Sequence, residues 1–169
     1  MLDDATSGHA APNGAQRAKA AARDLLDSTL PLMRAPPVNL GIICDWLGVE
    51  VYAMRCEAFG AVFSRSPRED RKYLVANDKL PLGRFRFSIA HELGHILLGH
   101  APLKHVFEQR KPDVERQADS FAAELLLPEE LLRKDCADYT MPELAARYKV
   151  SRQSLEFKLS DLRLTPKSI

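Results

Sequence analysis

The sequence has few cysteines, no long apolar run and no excess of one charge, and each shortage excludes a class of protein. Its three cysteines, Cys44, Cys56 and Cys136, are widely spaced and form no Cys-x-x-Cys pair, which argues against a disulfide framework or a cysteine-rich zinc site. No stretch approaches the roughly 18 consecutive apolar residues of a membrane helix, and the first residues do not resemble a signal sequence. We therefore expect a cytoplasmic protein with no membrane contact.

The charge balance argues against a general attraction to nucleic acid or to anionic membranes. Lys and Arg number 24 and Asp and Glu number 23, so the formal net charge is +1, which creates no overall field. Of the 169 residues, 46% are hydrophobic and 28% are charged, close to the averages of folded domains. This composition predicts a compact, soluble protein.

Hydrophobic periodicity predicts an α+β fold with a loose start and a helical end. Residues 1–14 have too little apolar surface to pack, so we expect a flexible tail there. Helical periodicity occurs at residues 16–27, 85–98, 114–127, 143–148 and 152–164. Strand-like runs occur at residues 49–52, 60–63 and 72–76, and they predict a small antiparallel sheet whose last two strands form a hairpin. We predict two parts after the tail: a main domain at residues 15–135, and a C-terminal helical unit at residues 136–169.

The strongest local signal is the sequence His91-Glu-Leu-Gly-His95 within one predicted helix. At about 100° per residue the two histidines lie only about 40° apart, so both imidazoles can reach one metal ion from one face. Glu92 lies at the margin of that face, where its carboxylate can contact a water that the metal activates. With this chain's composition such a pattern arises by accident in roughly 1% of cases, so the surrounding residues must decide its meaning.

Two histidines leave a catalytic zinc one protein ligand short. The extended pattern His-Glu-x-x-His-x-x-Gly-x-x-His fails here, because Leu98 and Ala101 occupy its glycine and third histidine positions. Glu115, near the start of the helix predicted at 114–127, is the other option. Asp119 shares its face and could accept the second N–H of a ligand histidine. The same helix carries small residues that allow close packing: Ala118, Ala122 and Ala123.

A simpler interpretation of Glu115 and Asp119 is that the helix dipole favours acids near a helix start. On position alone the two interpretations are equally good, and the nearby His-Glu-x-x-His pattern favours the metal role. We interpret His100 and His105 as surface residues of the connecting segment, and the remaining glutamates nearby as solvated charges.

Two longer blocks resemble the ImmA/IrrE family of metallopeptidases: Arg84-Phe-Arg-Phe-Ser-Ile-Ala-His-Glu-Leu-Gly-His95 and Glu115-Arg-Gln-Ala-Asp-Ser-Phe-Ala-Ala-Glu-Leu-Leu-Leu-Pro128. The resemblance extends over about residues 15–165 and is strongest between 77 and 128. It implies one zinc ion per chain at His91, His95 and Glu115, with Glu92 as general base, in a gluzincin-like fold. It also implies a substrate, because members of this family cleave helix-turn-helix repressors and so induce mobile-element or DNA-damage genes.

The segment at residues 144–155 is typical of a helix-turn-helix, with Ser151 capping its second helix. Lys149 occupies the turn, where Gly or Asn would adopt a left-handed conformation more readily. Glu156 and Asp161 offset the basic residues of this unit. We therefore expect the unit to pack against its neighbour, and we regard direct DNA binding as the lesser possibility.

Two functions are compatible with these residues. The first is a zinc endopeptidase that cleaves a repressor and thereby induces stress-response or mobile-element genes, with Glu92 moving the proton between water and the leaving amine. It also needs a donor for the oxyanion, and three unranked candidates are Tyr139, His100 and His105. The second is a non-catalytic transcription regulator with a structural zinc site, which acts by binding DNA or a repressor. The intact Glu92, and three protein ligands rather than four, favour the enzyme.

Overall fold

The computed structural model describes residues 13–29, 35–66, 71–102 and 109–168. The predicted tail therefore lies almost wholly outside the described residues, as does His105. The elements in chain order are α1 (Gly14–Thr29), α2 (Leu40–Trp46), β1 (Val49–Met54), β2 (Ala61–Arg65), β3 (Lys72–Asn77), α3 (Leu82–Leu97), α4 (Pro112–Leu126), α5 (Glu129–Asp135), α6 (Met141–Tyr148) and α7 (Arg152–Leu162). The α+β class is confirmed. None of the helices in these ranges is long and apolar enough to cross a bilayer.

The three strands form one sheet in the order β1-β3-β2. The predicted hairpin is confirmed, because β2 and β3 are antiparallel with Phe63 opposite Leu74. Strand β1 lies at the other edge of β3 and runs parallel to it, with Val49 opposite Lys72. The sheet is therefore mixed rather than antiparallel throughout. Strand β3 takes the centre because it carries the fully buried Leu74 and Ala76, whereas β1 is exposed beyond Val49.

Helix α4 is packed between α1 and α3, and small residues make both contacts close. Ala18 and Ala22 of α1 and Ala118 and Ala122 of α4 are fully buried. On the other side of α4, a Cβ atom added at Gly94 of α3 would lie 3.1 Å from Phe121 Cβ. The absence of a side chain at position 94 therefore sets how near α3 and α4 can come.

Helices α6 and α7 form the helix-turn-helix-like unit that the sequence predicts. Lys149 ends α6 in the left-handed conformation, with φ 52° and ψ 49°, as its place in the turn requires. The Ser151 hydroxyl accepts a hydrogen bond from the Ser154 N–H and caps α7. The turn packs on the first turn of α3, where a Cβ added at Gly83 would lie 2.6 Å from the Ser151 backbone nitrogen.

A buried ion pair joins α7 to α4. Lys158 Nζ lies 2.5 Å from Glu124 Oε2, and both side chains are at most 3% exposed. The other Glu124 oxygen accepts a hydrogen bond of 2.9 Å from Arg23 of α1. Burial raises the pKa of Glu124, but its hydrogen bonds to Arg23 and Lys158 outweigh this and hold the pKa below its ordinary value. One carboxylate thus links three helices.

Glu124→Gln should lower the free energy of unfolding by about 3–5 kcal/mol, because it leaves the buried Lys158 ammonium without its counter-charge. Urea unfolding followed by circular dichroism measures the change. The matched control is Glu156→Gln, which removes an exposed ion pair with Arg152 on the same helix as Lys158 and should cost no more than about 0.5 kcal/mol. Equal losses in the two variants would contradict the importance of the buried pair.

Candidate metal centre

Donor atoms of three side chains from two helices meet beside the α3–α4 contact. His91 Nε2 lies 3.0 Å from His95 Nε2. Glu115 of α4 places one carboxylate oxygen 3.2 Å from His91 Nε2 and the other 3.4 Å from His95 Nε2. The structure therefore brings together the two histidines and the glutamate that the sequence analysis proposed as ligands.

These separations fit a metal ion. In a tetrahedral zinc site with bonds of about 2.0–2.1 Å, neighbouring ligand atoms are about 3.3 Å apart, and the three measured separations cluster around that value. His91, Glu92 and His95 also place donor atoms within 4.8 Å of one another. Because Glu115 contacts both imidazoles and Glu92 accepts a hydrogen bond from β2, we propose Glu115 rather than Glu92 as the third ligand.

Asp119 contacts the far side of the His91 ring. Its Oδ1 atom lies 2.8 Å from His91 Nδ1, and because an ionised carboxylate can only accept, we infer that the proton sits on Nδ1. The Nε2 lone pair then faces the common point, as a metal ligand requires. Asp119 also lies two turns into α4, too far along for the helix dipole to explain its position.

His100 has the corresponding place beside His95, which corrects its interpretation as a surface residue. The two Nδ1 atoms are 2.9 Å apart, and burial lowers the pKa of His100 while Gln117 works against this. Gly99, with φ +69°, ends α3 in a Schellman motif in which the His100 N–H donates to the His95 carbonyl. This reversal folds His100 back over the helix end and onto the His95 ring.

The two ligand histidines differ in charge environment. Burial lowers the pKa of His91, but the hydrogen bond and charge of Asp119, together with the charges of Glu92 and Glu115, outweigh this effect, and the net pKa is raised. Burial, together with the charge of Arg110, lowers the pKa of His95 to about 2. His95 is therefore a neutral imidazole at ordinary pH, with a lone pair available to a metal ion.

Glu92 is held by the sheet and not by the donor cluster. Its Oε2 atom accepts a hydrogen bond of 3.1 Å from the Phe63 N–H of β2 and lies 3.5 Å from Arg110 Nη2, so within the described part of the chain Oε1 is the oxygen left available. Burial raises the pKa of Glu92, and the charge of Arg110 works against this rise. A carboxylate with a raised pKa is a stronger base.

A cleft of about 640 Å³ opens onto these groups. Its walls are the start of β2 with the residues just before it, one face of α3, and the first turns of α4 with the segment that precedes them. Arg110 lines the cleft although the sequence analysis did not propose it, since an arginine in a non-periodic segment carries no signal. Of the other candidates for an oxyanion donor, Tyr139 lies elsewhere, with the Arg147 guanidinium 4.8 Å above its ring.

Comparisons with protein families and with solved structures find similar proteins. The model of the Peptidase M78 family, described as the IrrE N-terminal-like domain, matches residues 44–160, which is more than half of the chain. Among solved structures, one similar chain is a Mycobacterium tuberculosis transcriptional regulator, with a TM-score of 0.55 and 20% sequence identity. The match covers 85% of this chain and 46% of that one, so this chain spans about half the length of that regulator. A comparison with curated proteins finds no match.

His91→Ala, His95→Ala and Glu115→Ala should each lose bound metal, because two remaining donors cannot hold a zinc ion tightly. Metal content after dialysis, measured by plasma emission spectrometry, tests this. Full occupancy in Glu115→Ala would remove Glu115 from the ligand set and make His100 the next candidate.

Asp119→Ala should weaken metal affinity by roughly 10- to 100-fold without abolishing binding, the usual effect of removing the partner that orients a ligand histidine. Competition with a chromophoric chelator measures the affinity. Asp113→Ala serves as the control, because Asp113 lies on the same helix but pairs with Arg116. An unchanged affinity in Asp119→Ala, with lower thermal stability alone, would reduce Asp119 to a structural acid.

Proposed function

Because the chain belongs to the Peptidase M78 family of IrrE-like domains, we propose that it is a zinc-dependent endopeptidase that cleaves a helix-turn-helix transcriptional repressor at one site in the cytoplasm. Loss of the repressor would then induce stress-response or mobile-element genes. The observation that carries the proposal is the arrangement of Glu92, which lines the cleft beside the donor cluster of His91, His95 and Glu115 while the Phe63 N–H holds its Oε2 atom.

The donor set favours catalysis over a structural role. Structural zinc sites are normally closed by four protein ligands, whereas catalytic sites have three and leave one position open. His91, His95 and Glu115 are three, and within the described residues a cleft leads to them. A zinc ion in this position supplies a Lewis acid that polarises the scissile carbonyl and makes a water molecule more acidic.

The proposed reaction needs two proton movements by one residue. Glu92 Oε1 takes a proton from the attacking water while the water oxygen bonds to the carbonyl carbon, and the carbonyl π electrons move to its oxygen. When the C–N bond breaks, Glu92 returns that proton to the amine nitrogen. The hydrogen bond from the Phe63 N–H fixes the carboxylate for both movements.

The edge of β2 offers a way to hold an extended peptide. In the order β1-β3-β2, strand β2 is an edge strand of the described sheet. The Phe63 N–H points away from β3 and towards Glu92. The backbone N–H and C=O groups of alternate residues in a strand point to the same edge. The backbone groups of Ala61 therefore also point away from β3, on the side of the cleft. A substrate segment can therefore pair with β2 as an added strand and carry its scissile bond past Glu92.

The C-terminal unit supports a protein substrate better than direct reading of DNA. Arg147 is paired with Asp135 at 2.7 Å, and Arg152 is paired with Glu156 at 2.7 Å, so two of its basic side chains are already neutralised. One similar structure is named a transcriptional regulator. We propose that any role of this chain in transcription runs through cleavage of the repressor.

Glu92→Gln decides between the peptidase and a non-catalytic regulator. The amide cannot take a proton from water, so cleavage of the repressor should fall by at least about 100-fold, while zinc content and repressor binding survive. Gel detection of the cut repressor and a reporter of repressor-controlled expression measure the two effects. Glu130→Gln on α5, which changes an exposed carboxylate far from the donor cluster, should behave as wild type.

The regulator hypothesis expects a different result from the same experiment. Full induction of the reporter by Glu92→Gln, without any cleaved repressor from the wild-type protein, would show that this chain regulates transcription without acting as a peptidase.

A further inference from the structure

Arg110 is a buried cation at the edge of the proposed catalytic site. It lies in the segment just before α4, and its side chain is 8% exposed. Its Nε atom lies 3.5 Å from the Ala101 carbonyl oxygen, which steers the guanidinium into the cleft. Because the burial of an isolated charge is costly, its placement here indicates that negative charge is present or develops nearby.

The two ends of the guanidinium face two different carboxylates of the site. Nη2 lies 3.5 Å from Glu92 Oε2, and Nη1 lies 3.8 Å from Glu115 Oε1. Charge-assisted hydrogen bonds are usually about 2.7–2.9 Å long, so neither carboxylate makes a close bond with Arg110. A guanidinium has five N–H donors, and within the described residues those of Arg110 are incompletely used.

The reacting carbonyl has to lie between the same two carboxylates. Its carbon must be within reach of the water that Glu92 deprotonates, and its oxygen must be near the metal position beside Glu115. Arg110 spans this interval, since one terminal nitrogen lies near each carboxylate. A carbonyl oxygen between the two carboxylates is therefore within reach of Arg110 N–H groups that make no close hydrogen bond to Glu92 or Glu115.

The donors that the sequence suggested do not fill this position. Tyr139 packs beneath Arg147 in the C-terminal part of the chain. His100 directs Nδ1 to His95 Nδ1 at 2.9 Å, so its ring is engaged behind a proposed ligand. His105 lies outside the described residues.

We infer that Arg110 is a catalytic residue that donates hydrogen bonds to the scissile carbonyl oxygen as that oxygen becomes negatively charged. The inference rests on the proposed peptidase function. When water adds to the carbonyl carbon, one negative charge forms on the oxygen, and a fixed cation that is only 8% exposed stabilises it more strongly than a cation in water does. The charge disappears when the C–N bond breaks and the carbonyl re-forms, so Arg110 itself gains and loses no proton.

Two measurements on the zinc- or cobalt-loaded protein test the proposed role of Arg110. Arg110→Gln should lower kcat for repressor cleavage by roughly 100- to 1,000-fold with little change in KM, as expected for a lost oxyanion donor. Inorganic phosphate, a tetrahedral oxyanion, is the probe for the second measurement. Its binding to the Co²⁺-substituted protein, followed by visible absorption, should weaken by roughly 10-fold or more in the same variant, because a charge-assisted hydrogen bond is lost.

Two further variants separate a direct role from a structural one. Arg110→Lys keeps the positive charge but lacks the planar, paired N–H donors of a guanidinium. It should therefore recover part of the loss in kcat and part of the loss in phosphate affinity. Arg116→Gln, which changes an exposed arginine of α4 paired with Asp113, should match the wild type in both. Metal content should be unchanged in all three variants, since the ligands are intact.

The outcomes are distinguishable from those of the proposed function. Unchanged phosphate affinity in Arg110→Gln overturns the inference even if kcat falls, because Arg110 would then act only by holding Glu92. Unchanged kcat overturns it as well and leaves the peptidase intact. A wild-type protein that cleaves no repressor and binds no phosphate overturns both proposals together.

Discussion

The closeness of α3 and α4 is the constraint on which the metal centre depends. Both histidines come from α3, whereas the acidic ligand and the partner of His91 come from α4. Their side chains are too short to meet unless the helix axes come near each other, and Gly94 against Phe121 permits this. Helix α1 packs against the opposite side of α4 through the buried residues Ala18 and Ala22. The spacing of the site is thus set by residues that touch no metal.

Charge is distributed differently around Glu124 and at the candidate metal centre. Around Glu124 the carboxylate is matched by Lys158 and Arg23, so that cluster is complete without a ligand. At the metal centre, Glu92 and Glu115 lie 3.5 and 3.8 Å from the Arg110 guanidinium and Asp119 contacts His91, so among the described contacts three carboxylates share one guanidinium. Buried charges are normally paired. The surplus of negative charge is what a divalent cation neutralises, and this distinguishes a binding site from a structural ion pair.

Sequence reasoning succeeded where a pattern has a fixed geometric meaning. Helical period placed His91 and His95 on one face, and the spacing to α4 brought Glu115 and Asp119 to them. The sequence also carries a signal for His100, because Gly99 after the last apolar turn is typical of a helix end that folds back and so brings the next residue over the helix. These features depend on local backbone geometry, which a sequence encodes within a few residues.

The features that were missed depend on packing between distant segments. Helix α5, only seven residues long, is too short to show a period. The parallel pairing of β1 with β3 depends on which strand is buried at the centre, and periodicity alone does not reveal strand order. Arg110 lies in a segment without regular structure, and its contacts with Glu92 and Glu115 follow from the tertiary fold.

The contacts of α7 also have a consequence for how the chain reaches its native state. Lys19 and Asp161 are 142 positions apart in the sequence and yet form an ion pair. The turn before α7 also packs against the first turn of α3. On a ribosome, the histidine-bearing helix emerges well before the segment that supports it. Contacts between such distant segments slow folding, and the first turn of α3 can pack against Val150 and Ser151 only after those residues have been synthesised.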